Sequence, residues 1–193
     1  MTGLFFGSFN PIHTGHLIIA EFMINHAKLD EVWFIVSPQN PLKDQTTLAK
    51  DALRLQMVKL AVKGNENFVA SDIEFRMEKP SFTIDTLELL TKKFPKKKFV
   101  VIMGSDSLES IYKWKRWSDL LSHYMVLVFR RGPINDIEWS KYPGIVFFES
   151  PLIKISSTLL RSMIGDKKSV RYLIPDPVIK FIKEKKLYRK KSR

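Results

Sequence analysis

The chain has 193 residues, no cysteine and a formal net charge of +12, with 45% hydrophobic and 27% charged residues. That is enough chain for one well-packed core with a soluble composition, and it excludes disulfides, thiol nucleophiles and thiolate metal sites. Eight basic residues and one acid fall within residues 180–193, so +7 of the +12 sits in a terminal tail, the usual make-up of a solvated end and not of a nucleic-acid surface.

The apolar pattern alternates short β-rich runs with longer helical segments. Strands are predicted over 4–6, 32–37, 68–70, 99–103, 125–129 and 145–148, mostly as continuous apolar runs, as parallel strands covered on both faces require. Helices are predicted over 14–27, 48–63 (stopping at Gly64), 83–94 (stopping before Pro95), 106–112 and 118–121. The end of the chain then changes character: a helix over 156–164 stops at Gly165, and another over 177–185 opens on Pro177. The succession predicts an α/β fold, a doubly wound, mostly parallel sheet over about residues 1–150. A small helical C-terminal piece with a basic tail follows over about 151–193, within one domain of 1–193. The longest apolar runs, near 99–103 and 124–129, are too short to cross a bilayer, and no signal-like segment opens the chain, so a cytoplasmic protein is expected.

In such folds ligands bind beyond the carboxyl ends of the strands, and the loops in those places are rich. The first is Gly7-Ser-Phe-Asn-Pro-Ile-His-Thr-Gly-His16: an apolar run stops at a glycine, a polar turn follows, and His13 and His16 open a helix. Free N–H groups and the positive dipole end at such a point suit an anion, and histidines three apart project to one side. An ordinary strand–turn–helix with two exposed histidines would read the same way, so this stretch alone leaves both meanings open. It is neither a Walker A loop nor a Gly-x-Gly-x-x-Gly fingerprint, no Gly-x-Ser-x-Gly elbow occurs, and no third ligand completes a zinc set. His26 and His123 are read as surface or helix-end residues, and Trp117 as a packing residue.

Taken with the later loops, the stretch resembles the signature of the nucleotidyltransferases with a His-x-Gly-His motif, and among them most resembles the nicotinate-nucleotide adenylyltransferases. Further matches are Lys43, Ser81-Phe-Thr-Ile-Asp-Thr86, Gly104-Ser-Asp106 followed by Lys113-Trp114, Ile155-Ser-Ser-Thr-Leu-Leu-Arg161, and Tyr172-Leu-Ile-Pro175 through Leu187-Tyr188. They span nearly the whole chain. Asn10 stands where many bacterial members carry aspartate, and Leu42 where many carry histidine.

The resemblance implies a Rossmann-like nucleotidyltransferase fold and transfer of the adenylyl group of ATP to nicotinate mononucleotide, with pyrophosphate leaving. His13, His16, Lys43 and Arg161 would stabilise charge on the phosphates. ATP would meet Gly7, Ser8, Phe9, His16, Gly104, Asp106, Arg130, Ser156, Ser157, Thr158 and Arg161. The pyridine nucleotide would meet Lys43, Thr83, Thr86 and Trp114. Mg²⁺ would arrive with ATP, with no metal ligand from the protein. Neither a membrane nor nucleic acid is expected as partner, and homo-oligomers are left open. The alternatives are adenylyl transfer to nicotinamide mononucleotide or phosphopantetheine or, in another class, a basic nucleic-acid-binding protein. The enzyme reading further expects deletion of residues 183–193 to leave turnover nearly intact.

Overall fold

A computed structural model describes residues 1–39, 48–132 and 134–190. Six strands are present: β1 (Thr2–Gly7), β2 (Glu31–Val36), β3 (Phe68–Ser71), β4 (Phe99–Gly104), β5 (Val126–Phe129) and β6 (Ile145–Phe148). They form one sheet in the order β3-β2-β1-β4-β5-β6, with every neighbouring pair parallel. This is the doubly wound order, and its reversal point lies between β1 and β4. Their carboxyl ends are Gly7 and Gly104, so the first and fourth loops of the sequence reading flank the crevice where ligands of such sheets bind.

The continuous apolar runs are explained by two apolar layers. Phe5, Phe34, Ile102 and Phe129 point into one, with the buried faces of α1 (Thr14–Ala27) and α2 (Asp51–Val62). Leu4, Ile35, Val101 and Val128 point into the other, under α3 (Thr83–Lys93) and α5 (Trp117–His123). Because successive strand residues face opposite layers, a central strand with both faces covered has no polar positions.

The predicted elements recur within a few residues of their expected ends. The helix expected over 106–112 is a short α4 (Ser105–Glu109) followed by a 3₁₀ turn at Ile111–Lys113. Two pieces were not anticipated: a 3₁₀ turn at Ile73–Arg76, and the one-turn helix α6 (Asp136–Trp139), which buries Trp139 and is capped by Asn135. Among the described residues no helix is long and apolar enough to cross a membrane.

The C-terminal helices α7 (Ser157–Gly165) and α8 (Asp176–Glu184) cover the first apolar layer through Leu160, Val178 and Ile182, with α8 packed on α2. The chain beyond α8 is not all solvated tail. Leu187 and Tyr188 pack on the same layer, and the Tyr188 hydroxyl donates to Asn10 Oδ1 at 2.7 Å. Deleting residues 183–193 would remove this bond to the first loop, which bears against the expectation that turnover stays nearly intact.

Candidate active site

The first loop leaves β1 at Gly7 and enters α1 through His13, whose extended backbone (φ −145°, ψ 167°) makes it the N-cap. The rings of His13 and His16 stack, with centroids 3.7 Å apart and planes 25° from parallel. Their spacing of three residues therefore does bring them to one side of the first turn. His16 Nδ1 accepts from the His13 backbone N–H at 3.2 Å. A ring nitrogen that accepts cannot carry the proton, so neutral His16 holds its hydrogen on Nε2 and presents a donor there. The edges of Phe5 and Phe9 pack against the His16 ring and fix its plane.

His13 is 4% exposed, and its Nδ1 has no hydrogen-bond partner among the described residues. That atom lies 3.0 Å from where a Cβ on Gly15 would stand, so any larger residue at 15 would press on the ring. Burial, and then the positive charge of Arg131, lower its pKa to about 4, so the ring is neutral near pH 7. Leaving a polar atom buried and unpaired costs about 1–3 kcal/mol, which a ligand accepting or donating there would recover. A narrow crevice opens beside it, lined among others by Phe129, Arg130, Arg131, Ile153 and Ile155.

The loop between the histidines and β1 is held from four directions. Asn10 Oδ1 accepts from the Ala49 N–H (3.2 Å) as well as from Tyr188, and the Asn10 carbonyl accepts from Arg161 Nη1 at 2.9 Å. The Ser157 hydroxyl donates to the Pro11 carbonyl at 2.9 Å. Arg54, 0% exposed, donates to the Ser8 carbonyl at 2.7 Å. At the start of α7, Ser156 Oγ caps the helix by accepting from the Leu159 N–H, and Arg161 Nη2 reaches Thr158 Oγ1 at 3.3 Å. Residues 156–161, predicted for the phosphate side, therefore do stand against the first loop.

Across the switch point, Asp106 folds back over the end of β4. A Cβ on Gly104 would come within 2.4 Å of Asp106 Oδ1, so a larger residue there would push the exposed carboxylate aside. Asp106 pairs with Arg131 at 3.2 Å on the surface, a contact weak enough to be exchanged for a ligand. Arg130 lies beside the Glu149 carboxylate and over the Phe147 ring.

The residues expected on the pyridine side come from α3 and the turn before α5. Thr83 opens α3, half-buried, and Trp114 ends the 3₁₀ turn, also half-buried. The two are tied by Lys115, which pairs with Asp85 at 2.8 Å and sits 4.9 Å over the Phe82 ring, and by Arg116 on Glu88. Trp117 packs edge-on against Tyr112 and Tyr142, as a packing residue should. His26 and His123 are exposed in the last turns of α1 and α5, each facing the carbonyl four residues back.

Of the expected ligand contacts, Thr86 is corrected and Phe9 is narrowed to its backbone. Thr86 is 0% exposed and its hydroxyl donates to the buried carboxylate of Glu74 at 2.8 Å, so it holds the protein together and faces no ligand. The Phe9 side chain is buried in the core beneath His16, leaving only its backbone near the crevice. Lys43 lies outside the described residues, as does Leu42. Sequence reading missed Asn10 as a junction, along with Tyr188 and Arg54. For Arg54 a signal existed: it precedes Val58 and Val62 by four and eight residues, on the apolar stripe of α2. Among the described residues no group of three or more His, Asp or Glu could hold a metal ion.

Residues 4–163 match the family described as cytidylyltransferase-like. The chain is 42% identical over 186 residues to a protein of Cytophaga hutchinsonii named a probable nicotinate-nucleotide adenylyltransferase, covering 96% of this chain and 97% of that one. It is 37% identical over 186 residues to a protein of the same name from Bacillus licheniformis, with the same coverage. Its fold superposes with a TM-score of 0.84 on the Plasmodium falciparum nicotinic acid mononucleotide adenylyltransferase complexed with NaAD, at 20% identity and over 97% of this chain and 96% of that one. With the doubly wound sheet and the histidine pair at its switch point, these matches mean that the chain belongs to the cytidylyltransferase-like family and, within it, to the nicotinate-nucleotide adenylyltransferases.

Proposed function

We propose that the protein transfers the adenylyl group of ATP to nicotinate mononucleotide, as a cytoplasmic enzyme making the deamido dinucleotide that leads to NAD. The observation that carries this reading is the stacked His13–His16 pair at the carboxyl end of β1, with the His16 tautomer set by the His13 backbone. A 5′-phosphate oxygen of the mononucleotide attacks the α-phosphorus of ATP, the bond from that phosphorus to the bridging oxygen breaks, and pyrophosphate leaves. The nucleophile is already an anion, so no general base is needed. What the protein must do is hold two polyanions in line and stabilise the charge that grows on the phosphoryl oxygens.

His16 Nε2–H donates to an α-phosphoryl oxygen from a fixed position. His13, neutral at working pH, adds a second ring at the same place. Arg161 and the N–H groups at the start of α7, with Ser157 and Thr158, receive the departing phosphates. Lys43 belongs to the same charge-stabilising set. Gly7, Ser8 and Gly104 let the nucleotide approach the strand ends, Asp106 accepts from its ribose, and Arg130 borders its base. On the other side Thr83 and the start of α3 receive the nicotinate carboxylate, and the face of Trp114 stacks on the pyridine ring. Among the described residues no cluster of acids could hold a metal, so Mg²⁺ would enter as part of the MgATP substrate, held by phosphate oxygens and water.

The test is pyrophosphate release from ATP and Mg²⁺ with nicotinate mononucleotide, nicotinamide mononucleotide or phosphopantetheine as acceptor. Release is expected with nicotinate mononucleotide; absence of release with both pyridine nucleotides would overturn the proposal.

A further inference from the structure

Two charged side chains are buried outside the set just described. Arg54 uses all five of its N–H donors: Nε on the Ala49 carbonyl (2.9 Å), Nη1 on the carbonyls of Ser8 and Ser37 (both 2.7 Å), and Nη2 on the Pro38 carbonyl (2.9 Å) and Asp51 Oδ1 (2.7 Å). Glu74, 2% exposed, receives the hydroxyls of Ser81 on Oε2 (2.7 Å) and Thr86 on Oε1 (2.8 Å).

Both side chains meet at Ser37. Its N–H donates to the Gly7 carbonyl at 3.0 Å and its carbonyl accepts from Arg54, while its hydroxyl faces the Glu74 carboxylate and stabilises its charge. The polar groups of one residue therefore face three places: the phosphate loop through Gly7 and Ser8, the start of α2 through Arg54, and the segment leading into α3 through Glu74. A purely structural buried ion pair would place Arg54 on Glu74 directly. Here the two charges are separated by a backbone position at the end of β2, between the two substrate sides.

We infer that Ser37 and Glu74 are positioning residues, forming with Arg54 a buried brace that sets the pyridine-side segment Ser81–Thr86 at a fixed distance from the phosphate loop. In-line attack depends on that distance, because a displacement on the order of 1 Å between substrates costs about 10²-fold in rate. The three hydroxyls stabilise the Glu74 carboxylate against the desolvation that raises its pKa. Loss of any one of them loosens the start of α3 while the Arg54 arm keeps the phosphate loop in place. The brace rests on the proposed function for its meaning, though not for its existence.

The experiment compares wild type with Ser37→Ala, Ser37→Thr, Glu74→Gln and the double variant Ser37→Ala/Glu74→Gln. Ser37→Ala and Glu74→Gln should each raise the KM for nicotinate mononucleotide roughly tenfold, the scale of one lost charge-assisted bond. The Kd for ATP alone, by calorimetry, should stay within about twofold of wild type. Ser37→Thr restores the hydroxyl and should restore KM, and the double variant should be no worse than Glu74→Gln, since both changes cut the same link. Amide hydrogen exchange of the free proteins should quicken over residues 81–86 in both single variants and not over α2. Equal losses for ATP and the mononucleotide, additive effects, or unchanged exchange over 81–86 would overturn the brace. Lack of turnover by wild type would instead overturn the functional reading, and the exchange data would still decide the brace.

Discussion

Two stretches border the crevice beside His13 and are built in opposite ways. Residues 7–13 are buried from Phe9 onward, with Ile12 at 0% and Phe9 at 2% exposure, and are held by Arg54, Arg161, Ser157, Tyr188 and the Ala49 N–H. Residues 149–155 follow β6 and are mostly exposed; Ser150 bonds the Phe148 carbonyl, while Leu152 stands 61% exposed. Under the proposed function the difference has a physical reason. Donors that stabilise transition-state charge act only if they need not move at the moment of reaction, so their support is over-determined. A stretch that admits a nucleotide and releases a product has to shift its side chains at low cost, which few bonds and high exposure allow.

The strongest way to break the comparison is His16→Ala. If the rigid side holds a transition-state donor, kcat falls by roughly 10²–10³-fold, with little change in the KM for ATP. An effect confined to KM would mean that the fixed tautomer serves binding alone.

A second test uses pH. The pKa of His13 falls from 6.5 unfolded to about 4 folded. Between those values the unfolded chain binds a proton that the native protein refuses, so stability rises with pH and is lost as pH falls through that window. The loss amounts to about 3 kcal/mol when complete. Glu74, whose pKa burial raises, contributes with the opposite sign, its penalty easing as the carboxyl is protonated. Comparing wild type with His13→Asn in urea unfolding at pH 7 and pH 4.5 therefore isolates the histidine. The variant's stability should fall less over that interval, by most of the about 3 kcal/mol. Parallel losses in the two proteins would show that the orphaned ring imposes no such cost.

How much of this was legible in the sequence divides along the same line. The sheet was, because a strand covered on both faces must be apolar throughout, and the runs at 32–37 and 99–103 could hardly be anything else. The histidine pair was legible too, since a spacing of three on a helix start has one geometric meaning. The support behind it was not. Tyr188 meets Asn10 across 178 residues, and no local pattern encodes such a contact. Thr86 was expected at the ligand because it lies in the segment that carries the family resemblance, which gives no direction for its hydroxyl; Glu74 claims it. Residues 136–139 are too short to show a period, so a buried Trp139 beside an 83% exposed Ile137 read as loop. Local order is written in local pattern, whereas the preorganisation of the phosphate side comes from side chains that converge only after folding.

A last prediction sharpens the contrast by making one change to serine on each side. Ile12→Ser replaces a fully buried side chain and leaves both a cavity and an unpaired hydroxyl, so unfolding free energy should drop by about 3–5 kcal/mol. Leu152→Ser removes apolar area that is already mostly in water, so stability should stay within about 0.5 kcal/mol of wild type. Leu152 nevertheless borders an open crevice with Arg130, Ile134 and Glu149. If the nucleotide covers it, the KM for ATP should rise by roughly fivefold, the worth of about 1 kcal/mol of apolar contact. An unchanged KM would place the base away from residues 149–152, and a lowered melting temperature would show that this stretch is held as firmly as the loop it faces.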